Sequence, residues 1–334
     1  MAIYKLGELC FFTRGSSDIG YSEVRTKFYK YPIVSAGKSI KGYFNKKNRD
    51  MYIASISSSG ANAGYITIPN EDYYAADCFS IESKNTNLLK QKYLNYYLLK
   101  NQNNIYKLSR GSAQPHVYAK DLCKLELYIP SIEKQQKIID IIEPVEEVKN
   151  LLNKYHLKLL EFIAKLPLSG KNIKIKELLK SIKNEKKNIS QISAKVINKN
   201  TGQILNLERE NTYQTNSYFC EARTFLFCSI RTYLKKWAIT PFDADVNGTL
   251  YQFKILQNIT QLIKYFMSEK SWNKFSQMSK GTKMPVIDKD VFLDILIPKT
   301  MVNIDKIDIL LVTVNKLLIK LNNLLKKMVL FFIV

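Results

Sequence analysis

Between residues 138 and 166, apolar side chains recur at alternating intervals of three and four: Ile138, Ile141, Val145, Val148, Leu152, Tyr155, Leu159, Phe162 and Leu166. The same spacing returns near the C-terminal end at Ile304, Ile307, Leu311, Val314, Leu318, Leu321, Leu325 and Met328. A globular surface helix shows a wider, less regular stripe, so two narrow seams of matched length predict two long coiled-coil helices. Ser131-Ile132-Glu133 reads as a helix start, while Pro167 and Gly170 end the first long helix. Proline suits a helix's first turn and not its interior. Pro144 is therefore expected to follow a short helix over residues 133–142 and to open the long one, with Glu146 and Glu147 near its positive end. Residues 145–166 would then span roughly 33 Å, about one turn of duplex DNA.

Outside these helices the period drops to two. Short alternating runs such as Met51-Tyr52-Ile53-Ala54 and Leu125-Glu126-Leu127-Tyr128-Ile129 predict strands between Gly, Asn and Ser turns, with one helical patch per region at residues 88–100 and 255–267. These regions are copies of each other. Ser109-Arg110-Gly111-Ser112-Ala113-Gln114-Pro115 and the run ending at Ile129-Pro130 answer to Ser279-Lys280-Gly281-Thr282-Lys283-Met284-Pro285 and the run ending at Ile297-Pro298. Tyr4-Lys5-Leu6-Gly7-Glu8-Leu9 answers to Lys174-Ile175 through Glu177-Leu178, and Ala76-Asp77-Cys78 to Ala244-Asp245-Val246. An offset of about 170 residues is too long for a solenoid and fits a domain plus a connector. The expected fold is α+β: domains over 1–130 and 171–298, helical segments over 131–170 and 299–334. Each helix leaves a different copy, so a pseudo-two-fold arrangement would run them antiparallel.

Charge adds a partner to this picture. Lys and Arg total 51 against 29 acidic residues, a formal net charge of +22, which favours a polyanion because neutralising phosphates releases counterions. No run reaches the ~18 apolar residues of a membrane span, and residues 1–5 lack a signal peptide's apolar core; a cytoplasmic protein without membrane partners is expected. Five dispersed cysteines, with no C-x-x-C pair, read as reduced thiols, and with only His116 and His156 no zinc cluster is expected.

Catalytic signatures are weak. Ala36-Gly37-Lys38-Ser39 resembles the tail of a phosphate-binding loop, yet Pro32 stands where its first glycine belongs. Neither G-x-G-x-x-G, nor G-x-S-x-G, nor the Asp/Asn-Pro-Pro-aromatic tetrapeptide of an amino-methyltransferase occurs. Asp77, Glu82 and Lys84 could hold magnesium in a stand-alone restriction endonuclease, but strand alternation accounts for them equally and the second copy has Phe253-Lys254 instead of the Glu-x-Lys. The expectation is a chain that is not an enzyme and carries no cofactor or metal of its own.

The repeated basic-Gly-hydroxyl loop is the better candidate. A cation, a glycine permitting close approach and a hydroxyl suit a phosphate contact; a tight turn before the next strand is the plainer alternative. Arg110, Ser112, Gln114 and His116 face Lys280, Thr282 and Lys283 across the repeat. Base readout is assigned to polar loops that differ between copies: Arg14, Ser16, Ser17, Lys38, Lys41, Ser58 and Asn62 in the first, Lys199, Asn200, Arg231, Lys235 and Lys236 in the second.

The duplicated Gly111-Ser112-Ala113-Gln114-Pro115 … Leu125 … Ile129-Pro130-Ser131-Ile132-Glu133-Lys134-Gln135-Gln136-Lys137-Ile138 pattern, followed by a long helix, resembles the specificity subunits of type I restriction–modification systems over nearly the whole chain. The resemblance implies two target-recognition domains alternating with two helical segments that form an antiparallel coiled coil. Each domain would read one half of a split double-stranded DNA target; the helices would set the gap and dock methyltransferase (modification) subunits. Through that complex they would meet the restriction/translocase subunit. The second copy departs from the pattern after Pro298, reading Lys299-Thr300-Met301-Val302-Asn303-Ile304 with no Glu-x-Gln-Gln.

Overall fold

The computed structural model describes residues 3–16, 20–38, 40–111, 113–208, 212 and 216–333. It divides into two compact units, Met1–Glu146 with Leu324–Val334, and Glu147–Asn323. The division falls inside both long helices and not at residues 130, 170 and 298. Each unit thus holds one mixed domain and a stretch of each helix.

In the first unit the strands are β1 (Ile3–Lys5), β2 (Cys10–Arg14), β3 (Tyr31–Val34), β4 (Tyr43–Phe44), β5 (Ala54–Ser57), β6 (Ile66–Thr67), β7 (Tyr74–Ala75), β8 (Cys78–Ser83) and β9 (Glu126–Tyr128), with short helices α1 (Leu6–Leu9), α2 (Gln91–Lys100), α3 (Gln102–Lys107) and α4 (Ala119–Leu122). Among the described residues β2-β8-β5-β6 form an antiparallel sheet, β4-β3-β7 a smaller one in which β3 and β7 run parallel, and β1 pairs with β9. Met51-Tyr52 turns, with Tyr52 at φ +65°, so the strand expected there begins at Ala54. Leu6, Ile56, Ile81, Tyr93, Leu98 and Leu127 fill the core.

After the first long helix, α5 (Ile132–Lys165), the second unit builds the same plan. Its strands are β10 (Leu168–Lys174), β11 (Leu179–Ser181), β12 (Gln191–Ile192), β13 (Ser217–Cys220), β14 (Thr224–Cys228), β15 (Trp237–Ile239), β16 (Ala244–Asn247), β17 (Leu250–Ile255) and β18 (Leu296–Thr300), with α6 (Thr260–Phe266), α7 (Glu269–Met278) and α8 (Lys289–Leu293). The sheet β11-β17-β14-β15 repeats the order β2-β8-β5-β6, β10-β18 repeats β1-β9, and β12 runs parallel to β16 as β3 does to β7. The third strand of the smaller sheet is added differently, β4 on β3 and β13 on β16. The cores share topology rather than residues: the second is aromatic, with Phe227 stacked on Phe292 at 4.3 Å between ring centroids and Trp237, Phe266 and Trp272 close by. The N-terminal anchors hold as read. Glu8 and Glu177 accept from the amides of Lys5 and Lys174 (3.0 and 2.9 Å), and the next amides, of Leu6 and Ile175, donate to Leu125 and Ile295.

The long helices α5 and α9 (Ile307–Phe332) correct two expectations. Pro144 lies inside one continuous helix. Proline removes the hydrogen bond to the carbonyl four residues earlier, but Pro144 and Asp140 are both exposed, so water can take that carbonyl. The seam of α5 is also shifted. Of the expected positions Ile138 and Leu166 are buried, whereas Ile141, Val148, Tyr155 and Phe162 are all exposed; Ile142, His156 and Ile163 are buried in place of three of them. In the first unit Ile138, Ile139 and Ile142 near the start of α5 share a core with Leu325, Val329 and Ile333 near the end of α9. In the second, Leu160, Ile163 and Leu166 at the end of α5 join Ile307 and Leu311 at the start of α9.

Each domain is fastened to its exit helix in a different way. Fully buried Gln135 of α5 accepts from the Lys90 amide (2.8 Å) and donates to the carbonyls of Leu88 (2.8 Å) and Pro130 (3.0 Å). In the second unit the side chains come from the domain instead: Asn258 donates to the Ile304 carbonyl (2.6 Å), and Thr260 accepts from the Ile304 amide (3.0 Å). Arg223 of the domain also pairs with buried Asp308 in the first turn of α9, so side chains from both sides stand in for the lost Glu-x-Gln-Gln stretch.

Candidate nucleic-acid interface

The repeated loop is built the same way twice. In the first unit the amides and carbonyls of Arg110 and His116 bond to each other, the Gly60 amide donates to Pro115 (2.9 Å), and the Val117 amide donates to Ser58 (3.0 Å). In the second, Lys280 pairs with Val286, the Arg231 amide donates to Pro285 (2.9 Å), and the Ile287 amide donates to Ser229 (3.0 Å). The hydroxyls of Ser58 and Ser229 in turn donate to the carbonyls of Asp77 (3.0 Å) and Thr249 (3.1 Å). Gly111 and Gly281 both take left-handed backbone, φ +101° and +103°, which glycine adopts at no steric cost. This register corrects the Asp77/Asp245 anchor. The structural counterpart of exposed Asp77 is Thr249, while Asp245 is buried in β16 and accepts from the amides of Lys187 and Ile189.

Around the first loop gather most of the expected residues. Arg14 ends β2 and is exposed; the amides of Gly15 and Ser16 donate to the carbonyls of Cys78 and Ala75 beside Asp77. Ser57, next to Ser58, donates to the Ala36 carbonyl and so brings the 36–38 turn alongside, where Lys38 lies 5.4 Å over the Tyr65 ring. Asn62 follows Gly60 in the same turn, Gln114 is exposed at the loop tip, and His116 stacks on Tyr118. Lys41 lies apart, over Tyr21 beside β4. Ser17 and Ser112 fall outside the described residues.

Two of these side chains have structural employment. The Ser58 hydroxyl is spent on the Asp77 carbonyl, and Arg110 bonds buried Asp121 (3.0 Å), leaving the rest of its guanidinium exposed. One residue that sequence reading missed positions Arg14. The Arg49 guanidinium donates to the carbonyls of Thr13 and Arg14 (3.2 and 3.0 Å) and to the Ser80 hydroxyl, and no local pattern marks it.

In the second unit the expected set divides. Arg231, Lys280, Thr282 and Lys283 are exposed on the paired loops. Asn200, Lys235 and Lys236 are corrections, because their polar groups are committed inside the domain. Asn200 accepts from the indole N–H groups of Trp237 (3.3 Å) and Trp272 (3.2 Å), Lys235 pairs with Glu269, and Lys236 donates to the Ile197 carbonyl. Burial holds the Lys236 ammonium below the usual lysine range. Lys199 is exposed but belongs to this second cluster and not to the Gly281 loop.

The nuclease-like trio is not assembled. Asp77 precedes β8 and Glu82 lies near its far end, about 17 Å of extended chain away. The Lys84 ammonium donates to the carbonyls of Gly7 and Glu8. Among the described residues no group of three His, Cys, Asp or Glu side chains could hold a metal ion. Burial pushes the Cys10 and Cys220 thiols up to about 12, which leaves them poor nucleophiles.

Residues 1–161 match the family of the type I restriction modification DNA specificity domain. That match covers 161 of the chain's 334 residues. The chain is 28% identical over 152 residues to a putative type I specificity subunit of Mycoplasma pneumoniae (strain ATCC 29342 / M129 / Subtype 1), covering 44% of this chain and 48% of that protein. The chain thus spans about half the length of that relative. An S subunit of a type I restriction-modification system from M. genitalium is 14% identical, with 98% of this chain and 90% of that one covered at a TM-score of 0.47. The HsdS subunit of Thermoanaerobacter tengcongensis is also 14% identical, with 99% and 95% covered at a TM-score of 0.31. Beyond residue 161, the second unit repeats the sheet order and loop hydrogen bonds of the first.

Proposed function

We propose that the chain is the DNA-specificity subunit of a type I restriction–modification complex, with each copy of the specificity domain reading one half of a split duplex target. The observation that carries this reading is the loop built twice with matched hydrogen bonds and different exposed side chains. The left-handed glycine brings backbone close to a phosphate; Arg110 and Lys280 supply charge beside it, and the surrounding side chains that differ supply sequence choice. A net charge of +22 draws the duplex in by counterion release. The chain itself is not catalytic; methyl transfer, ATP use and cleavage belong to its partners, in the cytoplasm. Among the described residues no helix is long and apolar enough to cross a membrane.

The methyltransferase subunits are assigned to the outer faces of the long helices. Ile141, Val148, Tyr155 and Phe162 on α5, and Leu310, Leu317, Leu324 and Phe331 on α9, recur every seven residues and are all at least 44% exposed. Apolar rows of that length are unusual on a free surface and suit a partner helix.

Methylome sequencing of cells carrying the methyltransferase, with and without this chain, tests the reading. Methylation at one split motif should appear only with the chain. Unchanged methylation at every split motif would sink the proposal.

A further inference from the structure

The matched loops place Arg231 on the position held by Gly60. Both amides donate to the proline carbonyl of the partner loop, Pro285 and Pro115, at 2.9 Å, and both residues follow a bridge to it, Ile230 with Val286 and Ser59 with His116. Both take left-handed backbone, φ +78° at Gly60 and +49° at Arg231. Glycine does this freely; an arginine is strained there, and strained backbone persists where the surrounding structure enforces it. A Cβ at Gly60 would meet nothing within 4 Å, so the first copy presents open space where the second presents a guanidinium. That group is exposed and, among the described residues, makes no ion pair or side-chain hydrogen bond, unlike Arg110 or Lys235. It stands beside the Gly281 loop, whose Lys280 and Lys283 suit phosphate contacts.

We infer that Arg231 is a specificity-determining residue of the second copy alone, reading a guanine in its half-site through the bidentate fork that matches guanine O6 and N7. The inference rests on the DNA-recognition reading above. The first copy, with glycine at the equivalent point, makes no such contact there.

The test selects duplexes from a randomised library with the full chain in its methyltransferase complex, for the wild type, Arg231→Gly and Arg231→Lys. Glycine suits the left-handed backbone, so Arg231→Gly should melt no lower than the wild type. Both variants should lose preference for guanine at one base pair of one half-site, by about 5- to 150-fold. The other half-site and the gap should stay unchanged, and Arg231→Lys, which keeps the charge, should bind more tightly overall than Arg231→Gly. Unaltered preference in both variants, or a loss spread evenly over all sequences as for a phosphate contact, would overturn the inference while leaving DNA recognition standing. A wild-type complex enriching no split motif would remove the recognition reading and the inference with it.

Discussion

Gly111 and Gly281 share a backbone conformation but not a neighbourhood. A Cβ on Gly111 would lie 2.8 Å from the Gln114 carbonyl oxygen, against 3.4 Å to that of Met284 for Gly281. Gly111→Ala should therefore cost roughly 1–3 kcal/mol, and Gly281→Ala less, as urea denaturation would measure. His156 makes a second prediction at this scale. It is buried, its Nε2 lies 2.7 Å from the Thr201 carbonyl, its Nδ1 has no partner, and burial lowers its pKa from the ordinary 6.5. Below that value the unfolded chain takes up a proton that the folded helix excludes. Stability is thus fully present above pH 6.5 and falls as pH drops, by at most about 1.4 kcal/mol per pH unit. Melting curves between pH 7 and 5 should show this, and His156→Gln should flatten it. The glycine loop was legible in sequence because it is local and written twice. Asn200 was not, because its partners Trp237 and Trp272 lie 37 and 72 residues away and nothing near Asn200 announces two indole donors.

The long helices show what periodicity can and cannot locate. Every seventh position, Ile138 to Leu166, was placed on the inner face correctly at both ends, and α9 buries Ile307, Leu311, Leu318 and Leu325 as its pattern required. The intermediate positions of α5 slipped by one residue. A helix that also packs against its own domain buries a wider face than a two-helix seam, which admits Ile142 and His156 and leaves Ile141 and Tyr155 outside. A pair of adjacent substitutions decides between the registers. Ile142→Ala, at a fully buried site, should cost about 2–5 kcal/mol, and Ile141→Ala, at a half-exposed one, far less in thermal melts. Equal losses would restore the narrower seam. Pro144 was misread for a related reason: sequence alone does not show that the carbonyl it frees faces water.

For the molecule as a whole, charge and duplication were the readable quantities, and the residues serving the reading loops were not. Composition fixes the sign of the partner but not which cations face it, since Lys84, Lys235 and Lys236 all turn inward to protein carbonyls or carboxylates. Duplex affinity should fall steeply with salt, and removing the exposed ammonium in Lys280→Ala should lower the slope of log affinity against log salt by about 1. Lys236→Ala should leave that slope unchanged. The two fastenings bear on a different matter, the inheritance of new specificities by gene exchange. Residues 171–298 carry fastening side chains of their own: Asn258 and Thr260 need only the backbone of Ile304, but Arg223 needs the carboxylate of Asp308 in α9. Residues 1–130 carry a socket for Gln135 from outside their borders, and their Lys92 and Tyr96 side chains reach Glu143 and Glu146 of α5. A recombination event that replaces the first module keeps its fit where a glutamine waits five residues beyond the junction, and one that replaces the second keeps its fit where an acidic residue waits at Asp308. New target halves should therefore enter through either module only from donors that match the side chain waiting in the helix beyond it.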